Sequence, residues 1–154
     1  NRYEKRGNKK EVIMSNEITY HSAFASLDIY FDSFDPKEIS EILNLTPQIW
    51  MKKGNQSEDG SVDPFGSWSF DTSDDVDSKD IVEHIQWLLN KIEPRKAQFL
   101  ELMSNNEFEA RINCFWIMEK SNEILTLSPQ IIFQLSSLKI KVEFSIFQSE
   151  IDDE

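Results

Sequence analysis

Cysteine and histidine are the side chains that most often carry out nucleophilic and acid–base chemistry near neutral pH. This chain of 154 residues has one cysteine, Cys114, and two histidines, His21 and His84. Cys114 alternates with Ile112 and Trp116 on the apolar side of a strand-like segment, where burial disfavours the reactive thiolate. His84 falls at the boundary between the apolar face of a helical segment and solvent, and the chain has no Gly-x-Ser-x-Gly motif. The sequence therefore predicts no catalytic residues, and we expect a protein that is not an enzyme.

Carboxylates are concentrated in one stretch, which is the first candidate for a metal site and comprises Asp71, Asp74, Asp75 and Asp77. A calcium loop counted from Asp75 would need a glycine at its sixth position, but that position is Asp80. The stretch directly precedes a helical segment, and the positive N-terminal end of a helix attracts carboxylates. We therefore predict that these aspartates complement the helix and bind no metal.

Composition narrows the classes of ligand and partner. The net charge of −12 and the pI of about 4.6 disfavour binding to nucleic-acid phosphates and anionic membrane. A basic protein partner would be attracted, but the simpler interpretation, which we prefer at this stage, is that the charge only keeps the protein soluble. The chain has 4 glycines and no Gly-x-Gly, so we expect no nucleotide loop and no cofactor. One cysteine excludes an internal disulfide, and no apolar run reaches the roughly 20 residues of a membrane span. We therefore expect a cytoplasmic protein that binds neither nucleic acid nor membrane.

Hydrophobic periodicity predicts the elements that must position these side chains. Alternating apolar residues predict strands at 23–31, 48–53, 67–72, 108–118 and 139–147. Helical spacing follows three predicted N-caps, Asp35, Ser78 and Ser128. Pro94 must kink the second helix or start another one, because proline lacks the N–H that an inner helical turn requires. The predicted order is β-α-β-β-α-β-α-β.

The fold class that this order predicts is α+β. Each long predicted strand has one apolar and one more polar face, which gives a two-layer sandwich with helices on one face of a mixed sheet. The first six elements match a ferredoxin-like split βαβ arrangement, β-α-β-β-α-β, with an appended α-β. This single domain is predicted at residues 18–148. Residues 1–17 are predicted to be a disordered basic extension or an added upstream segment, and residues 149–154 an acidic tail.

Several short motifs follow one another in a recognisable order along most of the chain. They are the strand Ser26–Phe31, then Asp35-Pro36-Lys37-Glu38-Ile39, Leu43-Asn44-Leu45-Thr46-Pro47, Lys53-Gly54, Trp68-Ser69-Phe70, the segment from Leu88 to Pro94, Asn113-Cys114-Phe115-Trp116, Leu127-Ser128-Pro129, and a closing stretch from Leu135 to Phe147. Together, from about residue 24 to residue 147, the chain resembles the bacterial family known as domain of unknown function 4279. The resemblance implies a small bacterial cytoplasmic domain without an established activity.

The preferred functional hypothesis is a protein-binding module. Trp50 and Phe115 are predicted to point to the sheet face without helices, where exposed aromatic rings mark binding surfaces. The aspartates listed above would supply charge, and one concrete version is an immunity-like inhibitor that neutralises a basic toxin. In the alternative view, the loop at 54–66 or the N-terminal segment folds over these rings.

Two further hypotheses concern the same face of the sheet. The domain could instead self-associate as a homodimer, through this face or through the edge of the last strand. It could also bind a small molecule there, and the outward polar residues that would do so are Asp28, Arg111 and Asn113.

Overall fold

A computed structural model describes residues 22–120 and 122–149. Its strands are β1 (Ala23–Phe31), β2 (Ile49–Met51), β3 (Gly66–Asp71), β4 (Glu109–Met118) and β5 (Ile140–Gln148). Its helices are α1 (Pro36–Leu43), α2 (Ile81–Ile92), α3 (Lys96–Met103) and α4 (Pro129–Ser137), with a 3₁₀ turn, Glu93–Arg95, between α2 and α3. The extension predicted at 1–17 lies outside the described residues, and so does the tail predicted at 149–154 except for residue 149.

The described strands form one five-stranded sheet in the order β2-β3-β1-β4-β5. Neighbouring strands are antiparallel except for β4 and β5, which are parallel. The parallel pair is possible because α4 connects β4 to β5 and returns the chain to the same end of the sheet. The predicted α+β class with a mixed sheet is therefore confirmed.

The described helices all contribute to one core against a single face of the sheet. Leu27 and Ile29 of β1 and Ile112 of β4 are fully buried in this core, together with Ile85 and Leu88 of α2. The strand residues recur at every second position and the helical ones at a spacing of three, so each element turns its apolar side inward. Burial of each such side chain stabilises the fold by about 1.5–3 kcal/mol.

Side-chain caps fix where two of the helices begin. The Asp35 carboxylate accepts a hydrogen bond of 3.0 Å from the backbone N–H of Lys37 at the start of α1. The Ser128 hydroxyl accepts one of 3.2 Å from the backbone N–H of Ile131 at the start of α4. Proline follows the cap in both cases, where its missing N–H costs nothing. Both predicted caps are confirmed.

The second helix begins later than predicted. Its N-cap is Asp80, whose carboxylate accepts from the backbone N–H of Val82 at 2.9 Å. The predicted cap, Ser78, is wrong because its hydroxyl instead accepts from the backbone N–H of Asp80 at 3.1 Å, before the helix starts. Pro94 lies in the 3₁₀ turn and a separate helix, α3, follows, so proline does start another helix.

Candidate functional site

The sheet face opposite the helices, called the open face below, is where the sequence placed its binding residues. Its side chains come from alternate positions of the five strands: Phe24, Ser26, Asp28 and Tyr30 of β1; Ile49 and Met51 of β2; Ser67, Ser69 and Asp71 of β3; Glu109, Arg111, Asn113, Phe115 and Ile117 of β4; Lys141, Glu143, Ser145 and Phe147 of β5. The pairing register divides them into a hydrogen-bonded centre, an ionic row on one side and an aromatic cluster on the other.

Asp28 lies at the centre of the open face and is buried. Its carboxylate accepts hydrogen bonds from the hydroxyl of Ser26 at 2.6 Å, from the hydroxyl of Ser69, and from the side-chain amide of Asn113. These donors belong to β1, β3 and β4, so one carboxylate joins three adjacent strands. A buried carboxylate is tolerated in a sheet only when such donors replace water. The structure thus brings Asp28 and Asn113 together, two of the three residues predicted for a small-molecule site.

Arg111, the third of those residues, is held in an ionic row beside the centre. Its guanidinium donates to Glu109 of its own strand and, at 3.2 Å, to Glu143 of β5. It also lies 5.3 Å from the centre of the Tyr30 ring, in a cation–π contact. The hydrogen bond from Arg111 lowers the pKa of Glu109, and the same bond raises the pKa of Arg111. An anionic ligand would have to displace these carboxylates to reach the guanidinium.

The aromatic cluster consists of Phe24, Phe115 and Phe147 and lies on the other side of the centre. The Phe24 and Phe115 rings are stacked with centroids 5.1 Å apart, and the Phe115 and Phe147 rings are 5.0 Å apart. Phe24 and Phe115 are register partners, which explains their contact. Phe115 therefore lies on the open face as predicted, but it is buried, and Phe147 with 39% exposure is the accessible ring.

Trp50, the second predicted anchor, is not on the open face, so that expectation is wrong. It is the register partner of Trp68, and it packs against the helix-covered core. Side chains of directly paired residues share a face, so Trp50 must follow Trp68 to the helix side. Its neighbours Ile49 and Met51 pair with Ser69 and Ser67 and therefore take the open-face positions.

The predicted acidic residues divide into one buried and three exposed carboxylates. Asp71 is buried, and its carboxylate accepts from both the backbone N–H and the hydroxyl of Ser73, at 3.0 and 2.5 Å. It therefore closes a turn after β3 and presents no charge to a partner. The three exposed residues are Asp74, Asp75 and Asp77. They lie in the segment 72–80 between β3 and α2, called the acidic loop below.

A buried hydrogen-bond chain holds the acidic loop at both ends. The Thr72 hydroxyl accepts from the backbone N–H of Ala25 at 3.0 Å and donates to His84 Nδ1 at 2.6 Å. His84 Nε2 donates in turn to the backbone carbonyl of Ser78 at 2.7 Å. These partners fit the neutral imidazole with its proton on Nε2. The single histidine of α2 thus connects the first residue of the loop to a residue near its end.

His84 is fully buried, so its predicted place at the boundary with solvent is wrong. The signal was in the sequence, because His84 lies three residues after Ile81 and four before Leu88, on the same helical face as both. What makes burial acceptable is Thr72, which supplies the hydroxyl partner from a distant part of the chain. No motif in the sequence marked Thr72 for this role.

The acidic loop and the aromatic cluster lie at the same end of the sheet. Asp71, the last residue of β3, pairs with Ser26 near the start of β1, and the start of β1 pairs with the end of β4. An ion pair between Lys79 and Glu119 ties the loop to the residue that follows β4. The hydrogen bond from this pair raises the pKa of Lys79. The acidic loop and the aromatic cluster, which share this end of the sheet, are together called the combined surface below.

The described residues give little support for a metal site, a reactive cysteine or a membrane span. Within 22–120 and 122–149, no three His, Cys, Asp or Glu side chains are grouped so that they could hold a metal ion. Cys114 is buried on the apolar strand face, as predicted, and burial raises the pKa of its thiol to about 12. No helix in this part of the chain is long and apolar enough to cross a membrane.

Comparison with known proteins gives one match. A family model described as domain of unknown function (DUF4279) matches residues 18–149, a range that includes every described strand and helix. No curated protein and no solved structure matches the chain. The match confirms the resemblance predicted from the order and spacing of the sequence motifs.

Proposed function

The chain belongs to the family of domains of unknown function DUF4279, and from this premise we propose that it is a non-enzymatic protein-binding domain. The observation that carries this proposal is the placement of the aromatic cluster and the acidic loop at one end of the sheet. The burial of Cys114, Thr72 and His84 supports binding over catalysis, because a substrate must reach the group that reacts with it.

The composition of this surface favours a basic partner. Three carboxylates of the acidic loop, those of Asp74, Asp75 and Asp77, are exposed. Phe147, at the same end of the sheet, is partly exposed and packs on the buried ring of Phe115. A rigid aromatic anchor next to charged groups is the usual arrangement of an interface hot spot. The net charge of −12 would speed the encounter with a cationic protein.

An immunity-like inhibitor of a basic toxin is the concrete version of this function that the surface supports best. Such an inhibitor needs no chemistry of its own, because it acts by covering a cationic surface of the toxin. The three exposed aspartates would pair with basic side chains, and Phe147 would fill an apolar recess among them. We place this function in the cytoplasm, where a toxin that acts inside cells must be met.

The fold itself is proposed to derive from a split βαβ arrangement. In support, β3 lies between β1 and β2, and β1 lies between β3 and β4. Each of these neighbouring pairs is antiparallel. In this view α4 and β5 are an addition that extends the sheet by one parallel strand beyond β4.

The test of the binding function uses defined proteins. Basic proteins encoded by the source genome are expressed singly and screened against the immobilised chain by interferometry. A genuine partner should bind the triple variant Asp74→Asn/Asp75→Asn/Asp77→Asn and the variant Phe147→Ala at least about tenfold more weakly. The matched control removes three exposed charges elsewhere, as Glu38→Gln/Glu41→Gln/Glu101→Gln, and should bind normally.

Two results would contradict the proposed function. One is that no basic protein of the set binds the chain. The other is that binders are affected equally by the two triple variants, because the effect would then reflect net charge and not a site.

A further inference from the structure

Strand β5 forms a long edge of the sheet. Among the described strands it pairs on one side only, with β4, and its nine residues run from Ile140 to Gln148. A strand edge presents unpaired backbone N–H and C=O groups, which can pair with another strand. The opposite edge, β2, has only three residues. β5 is therefore the edge with the greater capacity to extend the sheet.

Apolar side chains are exposed along this edge. Ile146 of β5 is 46% exposed, and Ile132 of α4 is 53% exposed. Gln134 of α4 is within 3.5 Å of Gln86, so that side of α4 faces α2. Ile132, about 160° away from Gln134 around a helix of 3.6 residues per turn, lies on the side of α4 that faces away from α2. An apolar strip thus accompanies the unpaired edge.

The sequence of β5 is complementary to itself in one antiparallel register. With Val142 placed on a two-fold axis, Lys141 of each copy lies opposite Glu143 of the other. Ile140 then lies opposite Phe144 of the second copy, on the helix side of the sheet. An axis at residue 141 or at residue 143 would instead place two lysines or two glutamates opposite each other. Charge therefore selects the register centred on Val142.

The ionic row of each copy would be continuous with these cross-strand pairs. Lys141 lies 3.3 Å from Glu109, and Glu143 lies 3.2 Å from Arg111 within one chain. Pairing in this register would bring the ionic row of one copy next to the ionic row of the other, and positive and negative side chains would then alternate across the open face of the dimer. The side chains of Lys141 and Glu143 are each more than half exposed, so a second copy can reach them.

We propose that two copies of this chain associate through antiparallel pairing of β5 with β5, centred on Val142. The two sheets become one, Lys141 and Glu143 form reciprocal ion pairs, and Ile132 of the two α4 helices covers the helix side of the junction. The aromatic cluster lies nearer the opposite end of β5 from this axis, so the dimer is independent of the binding function proposed above.

The test is a charge-complementation experiment followed by sedimentation equilibrium. The wild-type chain should dimerise at protein concentrations up to about 1 mM. Lys141→Glu makes both cross-strand pairs Glu–Glu and Glu143→Lys makes both Lys–Lys, so each variant alone should associate at least about tenfold more weakly. An equimolar mixture of the two variants should form a heterodimer, because both cross-strand pairs are then opposite in sign.

A second variant tests the position of the axis. Cysteine at the axis, in Val142→Cys, should form an intermolecular disulfide on mild oxidation with copper phenanthroline, since directly opposed Cβ atoms approach to about 4.5 Å and a small shift brings them within disulfide range. Ser145→Cys, away from the axis, is the matched control and should remain uncrosslinked. Circular dichroism establishes that each variant is folded.

A monomeric wild-type chain at the highest concentration would overturn the proposal. So would a dimer that both charge variants retain, or charge variants that fail to combine when mixed. A wild-type dimer in which Val142→Cys does not crosslink would overturn the register.

Discussion

Thr72 and His84 share a buried hydrogen bond of 2.6 Å that joins the first residue after β3 to the first turn of α2. The same imidazole reaches the carbonyl of Ser78 at 2.7 Å, so both ends of the acidic loop depend on one side chain. Because Thr72 also accepts from Ala25, the loop is fixed to β1 as well. The exposed carboxylates are therefore carried on a segment with a rigid base, which reduces the entropy lost when a partner binds.

Removing the Thr72 hydroxyl should destabilise the whole domain. Thr72→Val keeps the shape of the side chain but leaves the backbone N–H of Ala25 and the imidazole of His84 without this partner. We expect the free energy of unfolding to fall by about 1–3 kcal/mol. Urea unfolding at neutral pH measures the change as a lower midpoint with an unchanged slope. Glu83→Ala, an exposed change on the same helix, is the control, and an equal loss there would contradict the prediction.

The Asp28 cluster predicts a strong response to added negative charge. Asn113→Asp replaces an amide that donates to Asp28 with a second carboxylate of nearly the same size. A partly buried carboxylate in contact with the buried Asp28 repels it at neutral pH, and the repulsion is relieved when one of the two is protonated at low pH. We expect a loss of about 1–3 kcal/mol at pH 7 and a smaller loss at pH 4, measured by urea unfolding at both values. A loss independent of pH would show that the two groups do not interact.

Glu109 gives a pH dependence whose direction follows from its lowered pKa. A carboxyl group with a folded pKa below its ordinary 4.5 stabilises the folded state above that value, and the contribution disappears as the pH falls through the folded pKa. Because its side chain is 40% exposed, solvent screening limits the contribution to about 0–1 kcal/mol. Glu109→Gln should lower stability slightly at pH 7 and not at pH 2.5, with the difference reduced by high salt. Urea unfolding at the two pH values checks this, and a larger loss at acid pH would have the wrong sign.

Long alternating strands made the sheet predictable, and short strands did not. Leu27 and Ile29 alternate with polar residues over nine positions, so one face of β1 is set by the sequence. β2 has three residues, Ile49, Trp50 and Met51, all apolar, and its own pattern cannot select a face. Pairing of Trp50 with Trp68 makes that choice. The error over Trp50 therefore arose because tertiary pairing outweighs a pattern too short to carry information.

The combined surface was unpredictable for a related reason. Each part was visible in the sequence, as a run of aspartates and as aromatic residues on strands. Their proximity depends on contacts between distant residues, such as the ion pair of Lys79 with Glu119, 40 positions apart. The sequence also indicated that Phe115 is on the open face, but only the stacked rings show that Phe147 is the accessible one.

Cys114 should be inert in the folded protein. Burial raises the pKa of its thiol to about 12, so the thiolate is scarce at pH 8, and the sulfur is out of reach of reagents. Ellman's reagent should react slowly with the native chain and stoichiometrically once urea unfolds it. Rapid reaction without denaturant would contradict both the burial and the raised pKa.

Variants of Phe115 and Phe147 should have different effects, the first mainly on the stability of the fold and the second mainly on partner binding. Phe115 is buried between two other rings, so Phe115→Ala should lower the free energy of unfolding by about 3–5 kcal/mol. Phe147 retains 39% exposure, and its truncation should cost clearly less stability while it weakens binding of a basic partner. Urea unfolding measures the first effect and interferometry with the partner measures the second. If Phe147→Ala leaves partner affinity unchanged while the acidic-loop variant weakens it, charge alone carries recognition and the aromatic cluster is only structural.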